Sequence, residues 1–484
     1  MGKNLLIVLL SALLLASWFR PHPKPVALPS SEIVDEVVVP TQDPYAALRE
    51  SISAMQAAPG LEAASLGLCV LSDGAEPVFE YRADEAMTPA STLKAITSAT
   101  AMEMLGPDFR FETALGVSKE FTLDAVGQFS GDVLLIGGGD PMLSSIILTK
   151  WAGDLRSKGL KKLTGRIITD ARCFPEQLIP NSWDWGDVSN YYGAGPCGLN
   201  LDFNRFNVLL KPGPKTGDPA SIASMTPPLK WLERLTLATT GDSGSWTSIY
   251  GGPYAKTLTF RGNIPLGAEA VPSQGAIPDP AYHAAARFRD MLDLQGIEVT
   301  TEPTTMRRLA AAGQPLPEST AVLMKHTSDP LTDIVRYLHR TSDNMVTECL
   351  FQKLIQLDPL DRSGKDIVTM HWKKRGHVFD GLRMEDGSGL ARADYIRPID
   401  MARVLWLAYR GPHGEAYAAT LNQYHDGRVR WKGGAMSRVR AYTGYTENGY
   451  TFALMINNYE TDSETLGGWR AKIIEDLLAL PSLR

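Results

Sequence analysis

The chain has 484 residues, enough for more than one domain, and its composition of 44% hydrophobic and 21% charged residues fits a folded protein and excludes a disordered one. The net charge of −6 gives no electrostatic basis for binding nucleic acid, and the Lys/Arg blocks are short, as in Lys373-Lys374-Arg375. Four scattered cysteines, Cys69, Cys173, Cys197 and Cys349, lack CxxC spacing, which argues against a metal cluster; export would permit a disulfide between some pair without saying which.

The chain opens with "MGKNLLIVLLSALLLASWF", in which Lys3 precedes an apolar run from Leu5 to Phe19. Residues 1–20 therefore read as an export signal or an uncleaved membrane anchor, followed by a proline-rich tether over 21–42. No cysteine directly follows the run, so lipidation at that point is excluded. Apolar spacing predicts a helix over 43–55, and "SLGLCVLSDG" and "PVFEYRAD" predict two strands around a turn at Asp73-Gly74. A buried helix begins near Ser91, with Leu93, Ile96, Thr97, Thr100 and Met104 along one stripe.

From about Arg110 to Arg308 the texture changes. "FRFETALGVS", "GDVLLIGGGDP" and "GRIITDARCF" are strand-like, "WAGDLRSKGL" and "AYHAAARFRDMLDLQG" are helical, and the turn-rich "KPGPKTGDPASIASMTPP" marks a smaller subdomain over about 212–275. Helical pattern returns in "SDPLTDIVRYLHRTSDNMVTECLFQKLIQL". Two strand-like runs follow, Arg428 to Tyr445 and "YTFALMINNY", and "GWRAKIIEDLLALP" closes the chain as a helix. The layout is an α/β domain in two parts, 43–112 and 309–484, interrupted by an insertion over 113–308. One sheet would draw strands from both ends of the chain.

Several motifs fail on context. "GDSGS" at Gly241–Ser245 looks like a protease nucleophile loop, but only His22 precedes Ser243, so a His-Asp-Ser triad order is not available. "DGSGL" at Asp386–Leu390 has aspartate where a nucleophile elbow needs glycine. "LLIGGGDP" at Leu134–Pro141 lacks the Lys-Ser/Thr of a phosphate loop, and no H-E-x-x-H is present, so neither a nucleotide cofactor nor a catalytic metal is expected.

Three elements combine. In Ser91-Thr92-Leu93-Lys94, residues three apart share a helix face, so Lys94 can reach the Ser91 hydroxyl and serve as its base if its own pKa is depressed. Ser342-Asp343-Asn344 lies between two helical runs, and Lys432-Gly433-Gly434 lies on a late strand. S-x-x-K, S-D-N and K-T-G together are the signature of penicillin-binding proteins and serine β-lactamases. Further stretches extend the likeness: "TPASTLKAITSATAMEMLG", "SGDVLLIGGGDPML", "GRIITD", "WDWGDVSNYYGAGPCGLN", "SDPLTDIVRYLHRTSDNM" and "MEDGSGLARADYIRP". Over roughly Thr88 to Tyr445 the chain resembles the D-alanyl-D-alanine carboxypeptidase/endopeptidase family, the class C low-molecular-mass penicillin-binding proteins.

The resemblance implies a transpeptidase-like domain with a two-part insertion between the first and second motifs. It implies an exported, periplasmic or cell-envelope enzyme that acts on peptidoglycan stem peptides, is inhibited covalently by β-lactams and needs no cofactor. Ser91 would be the nucleophile, Lys94 its base, Ser342 and Asn344 the opposite wall, and Lys432 the cation that keeps Lys94 partly neutral. The N–H groups of Ser91 and Ala435, next to Gly434, would form the oxyanion hole. Asp140 would take the amine of a diaminopimelate stem, and Arg392 would lie near the same substrate. One departure stands out: the family has hydroxyl residues where this chain has Gly433 and Ala435. Two hydrogen bonds to a charged carboxylate, lost without replacement, cost on the order of 10²–10⁴ in kcat/KM. Ser437, Arg438 and Arg440 are the neighbours available to compensate. The alternative is a catalytically weak or inactive relative that binds peptidoglycan or protein; a β-lactamase is disfavoured, because no dedicated deacylating base is identifiable.

Overall fold

A strand that is apolar on both faces must be covered on both faces. "SLGLCVL" is such a strand, and it forms the interior of the main sheet: β1 (Ser65–Leu71) is buried along all but its first residue. The computed structural model describes residues 43–231, 234–236, 239 and 244–483; the expected export segment and tether, and Gly241–Ser243 of the "GDSGS" stretch, lie outside the described residues. Beside β1 lie β2 (Pro77–Tyr81), β3 (Asn422–Tyr424), β4 (Val429–Met436), β5 (Val439–Thr446) and β6 (Thr451–Asn457), in the order β3-β4-β5-β6-β1-β2 and antiparallel throughout. The sheet thus joins the two ends of the chain, with β1 paired to β6 from Ser65↔Asn457 to Leu71↔Thr451.

The period of two in β1 sorts its side chains. Leu66, Leu68 and Val70 meet α1 (Ala46–Gln56) and α6 (Ser463–Leu478) through Leu48, Ile52, Ile473 and Leu477. Cys69 and Leu71 face the other core, built from α2 (Leu93–Leu105), α3 (Leu331–Thr341), α4 (Asn344–Gln356) and α5 (Pro398–Tyr409). All four cysteines are free thiols.

The run from Arg428 to Tyr445, expected as one strand, is a hairpin. β4 and β5 turn at Ser437-Arg438, where Arg438 takes φ 58°. The turn contains no glycine, proline or asparagine, so the usual punctuation is missing and alternation continues across it.

The inserted region builds a second core. Its five-stranded sheet runs in the order 304–305, 167–170, 133–136, 112–117, 321–327, with the helices Ser145–Ser157 and Pro280–Leu294 packed on it. Because Ala321–Thr327 pairs with Glu112–Val117, the insertion runs to Thr327, beyond the expected limit at residue 308. That last strand is largely exposed, so it shows little burial alternation to mark it. The smaller subdomain begins at Arg205, before the turn-rich stretch: strands 205–211, 221–226 and 271–276 form one sheet and 234–236, 246–250 and 257–263 another, around Phe206, Val208, Leu210, Ile249 and Phe260. Among the described residues no helix is long and apolar enough to cross a membrane.

Trp431 anchors β4, the strand that carries Lys432. It is 2% exposed, with the rings of Tyr424, Tyr442 and Phe452 at 4.4, 5.1 and 6.3 Å. Trp431→Ala is expected to cost about 3–5 kcal/mol, read as a lower midpoint in equilibrium urea unfolding.

Candidate active site

Ser91 sits in a short 3-10 turn, Ala90–Thr92, that leads directly into α2. The turn is tied by the Thr92 hydroxyl, which donates to the Pro89 carbonyl at 2.7 Å. Two distant glycines clamp it. A Cβ on Gly389 would fall 2.0 Å from the Ala90 carbonyl oxygen, and one on Gly434 would fall 2.8 Å from both the Pro89 carbonyl oxygen and the Ser91 nitrogen. Backbone this close admits no side chain.

Lys94, one turn along, is fully buried. Its Nζ donates to Ser91 Oγ at 2.8 Å, to Asn344 Oδ1 at 2.6 Å and to the Ser388 carbonyl at 2.7 Å. Burial lowers its pKa to about 8, against the opposing pull of the carboxyl groups of Asp386, Glu348, Asp343 and Asp394.

Asn344 opens α4 because Asp343 caps it, accepting the Val346 N–H at 3.1 Å. Both residues are braced by the inserted region: Asn344 Nδ2 donates to the Tyr192 carbonyl at 2.7 Å, and Arg205 pairs with Asp343 at 2.7 Å. Ser342 ends α3 in the left-handed region, and its hydroxyl accepts from Lys432 Nζ at 2.9 Å. Lys432 is 2% exposed, and burial together with the charge of Lys94 holds its pKa well below the usual lysine range.

The far half of β4 is an open edge, because β3 pairs only with Val429–Trp431. The Glu447 N–H bonds to the Arg428 carbonyl at 2.7 Å, which fixes the phase of the β4–β5 ladder. By the alternation of an antiparallel pair, the N–H and C=O of Gly433 and Ala435 then point to the open edge. A cleft of about 510 Å³ lies there, lined by Ser91, Ser342, Asn344, Ala435 and Ser437, by Asp187, Tyr191 and Tyr192 of the inserted region, and by Arg392. A cavity of similar size, about 500 Å³, at the other end of β4 contains none of the motif residues.

The three motifs therefore meet at one cleft. Arg392 stands at its rim, paired with Asp184 at 3.2 Å. Asp140 does not reach it. That residue is buried beside His326 (3.7 Å), takes the Met142 N–H at 2.8 Å, and is pushed up to about 6 by burial. Its three preceding glycines exist for packing: a Cβ on Gly137 or Gly138 would lie 2.1 or 2.2 Å from the carbonyl oxygens of Gly198 and Glu112. Two acidic side chains do line the cleft: Asp343, which is paired with Arg205, and Asp187, which accepts from the Tyr192 hydroxyl at 3.0 Å and is raised by burial. Its stretch, "WDWGDVSNYYGAGPCGLN", carried the likeness without singling out this aspartate.

The neighbours expected to compensate for the missing hydroxyls are engaged elsewhere. Arg438 pairs with Glu460 at 2.8 Å, and Arg440 donates to the Met436 and Val439 carbonyls at 2.9 Å. Ser437 borders the cleft from the hairpin turn, off the strand whose parity it was expected to share. Also unforeseen is the "DGSGL" turn. Asp386 accepts the N–H groups of Ser388, Gly389, Leu390 and Ala391 and the Trp183 indole N–H, and so presents the Ser388 carbonyl to Lys94.

The profile of the D-Ala-D-Ala carboxypeptidase 3 (S13) family matches residues 48–474. This chain belongs to that family. It is a serine-type D-Ala-D-Ala peptidase by that membership, and named members are similar along most of its length. It is 26% identical to the D-alanyl-D-alanine carboxypeptidase of an Actinomadura species, over 85% of this chain and 81% of that one. It is 23% identical to the D-alanyl-D-alanine carboxypeptidase DacB of Haemophilus influenzae, over 79% and 80%. The crystal structure of penicillin binding protein 4 (dacB) from Haemophilus influenzae has the same fold, with a TM-score of 0.75 at 22% identity over 88% of this chain and 99% of that chain; the same protein has been solved with a β-lactam bound. The penicillin-binding-protein fold implied by the sequence is the fold of this S13 chain.

The two glycines of the third motif differ in consequence. A Cβ on Gly433 would meet only ring carbons of Tyr442 at 3.7 Å, an ordinary contact. Gly433→Thr is expected to melt as wild type does, whereas Gly434→Ala displaces the Ser91 turn and lowers the rate of acylation by a labelled penicillin on the order of 100-fold, measured by stopped-time mass analysis.

Proposed function

We propose that this protein is an exported D,D-peptidase of the cell envelope that cleaves D-Ala-containing peptide bonds of peptidoglycan through an acyl-enzyme at Ser91. The observation that carries the proposal is the 2.8 Å contact between Ser91 Oγ and a completely buried lysine whose pKa is lowered to about 8. The apolar run from Leu5 to Phe19 supports export.

In this reading, neutral Lys94 takes the Ser91 proton as Oγ attacks the D-Ala carbonyl carbon. The oxyanion sits between the N–H groups of Ser91 and Ala435, the latter on the open edge of β4. The C–N bond then breaks, and the departing amine takes a proton through Ser342, whose hydroxyl is tied to Lys432. Water attacks the ester by the reverse path and regenerates Ser91. Asp187 and Arg392 present opposite charges to the amine and carboxylate of a diamino acid in the stem peptide. β-Lactams would stop at the ester.

A second reading, a weak or inactive relative that still binds peptidoglycan, rests on Gly433 and Ala435, which offer the substrate carboxylate no hydroxyl. Intact mass analysis with penicillin, run beside D-Ala release from purified muropeptides, separates the two. Wild type is expected to gain one penicillin mass that Ser91→Ala does not, and to release D-Ala or cleave cross-links; an adduct without turnover favours the second reading, and an adduct that persists in Ser91→Ala rejects the proposal.

The depressed pKa fixes the sign of the pH response. The base form of Lys94 accumulates as pH rises through about 8, so kcat/KM is expected to climb across that range and to fall away below it, measured as the acylation rate against pH.

A further inference from the structure

Glu348 takes no part in the steps above, yet it is completely buried beside them. It lies one helical turn after Asn344 on α4, so the two side chains leave the helix on the same face. A buried carboxyl group needs hydrogen bonds to stay there. Its oxygens lie 3.1 and 3.2 Å from the Gly387 nitrogen, while the neighbouring Ser388 hydroxyl donates to Asp386 at 3.3 Å.

Through Gly387 and Ser388 the "DGSGL" turn hydrogen-bonds to α2. The Ser388 carbonyl accepts from Lys94 Nζ at 2.7 Å, and the Gly387 carbonyl accepts from the Thr97 hydroxyl at 2.6 Å. Gly387 is thus held at its N–H by α4 and at its C=O by α2. The turn has no slack against α4: a Cβ on Gly387 would lie 2.7 Å from Phe351 Cβ. We infer that Glu348 is a positioning residue for Lys94: its carboxyl group holds the Gly387 N–H and so fixes the turn whose Ser388 carbonyl orients the lysine toward Ser91. The inference rests on the reading of Lys94 as the base.

The arrangement also sets charge. The ionisable groups facing Glu348 are Lys94 on α2 and Asp386 of the turn, with Asp394 just beyond it; Lys94 itself is faced by Lys432 and by Asp343 at the head of α4. Three carboxyl groups around one buried ammonium do not all ionise together. Burial, then the charge of Asp386, raises both Glu348 and Asp394. Removing the Glu348 carboxyl therefore withdraws a group that favours the charged form of Lys94.

The test is the rate of acylation by a labelled penicillin over about pH 6 to 10 for the full-length wild type, E348Q and E348A, with a thermal melt of each. E348Q keeps the volume and an acceptor oxygen; it is expected to melt as wild type does and to reach a plateau rate within about threefold of it. The midpoint of its rise is expected at a pH lower by about 0.5 or more. E348A is expected to acylate on the order of 100-fold more slowly. An E348Q midpoint that superimposes on the wild type overturns the inference, whether or not E348A folds, because a merely structural residue leaves that midpoint in place. A wild type that never acylates at Ser91 overturns the reading of Lys94 beneath it, and the two failures are told apart by the wild-type arm.

Discussion

The site depends on keeping a lysine fully out of water. An ammonium group loses its hydration on burial and is stable there only with acceptors on every side. Lys94 has three, and each comes from a different part of the chain: Ser91 from the turn that leads into α2, Asn344 from α4, and the Ser388 carbonyl from the "DGSGL" turn. Each acceptor is itself held by a further layer, Asn344 by the Tyr192 carbonyl and the turn by Asp386. Lys432, tied to Ser342, is a second buried lysine, and burial together with the charge of Lys94 holds its pKa down. Nucleophile activation is thus a property of the packing of several elements around one charge.

This view also gives the inserted region a role near the chemistry. Arg205 and Tyr192 reach across to Asp343 and Asn344, so the insertion braces the helix start that contacts Lys94. The pairing of Arg205 with Asp343 combines a buried carboxylate, 1% exposed, with a guanidinium that is 21% exposed, a geometry that rewards precise placement more than bulk stability. The cleft is accordingly a joint product of both regions, with Asp187 and Tyr191 lining it alongside Ala435 of β4.

Much of this was legible in the sequence where residue type and spacing coincide. S-x-x-K on a helix start fixes a short contact by geometry alone, and the turn at Asp73-Gly74 marks the strand pair that β1 and β2 form. The order of the three motifs was enough to indicate which family the chain joins. What escaped has physical causes. The hairpin at Ser437-Arg438 uses a left-handed arginine in place of a turn former, so no local signal marks it. The family resemblance places Asp140 at the substrate amine, and only the fold reveals that the aspartate is buried beside His326. Glu348 looks like any helix glutamate until α4 is seen to bury it.

The glycine clamp on the Ser91 turn has a consequence for when the site can exist. Its jaws, Gly389 and Gly434, lie some three hundred residues after the serine they hold, and β1 finds its central partner only in β6. Contacts so distant in sequence form late in folding, since closing long loops costs entropy before any pairing repays it. Ser91 therefore has no fixed seat until those distant segments have packed around it. The geometry of the three-motif cleft arrives only with the last strands, which makes it a readout of finished folding.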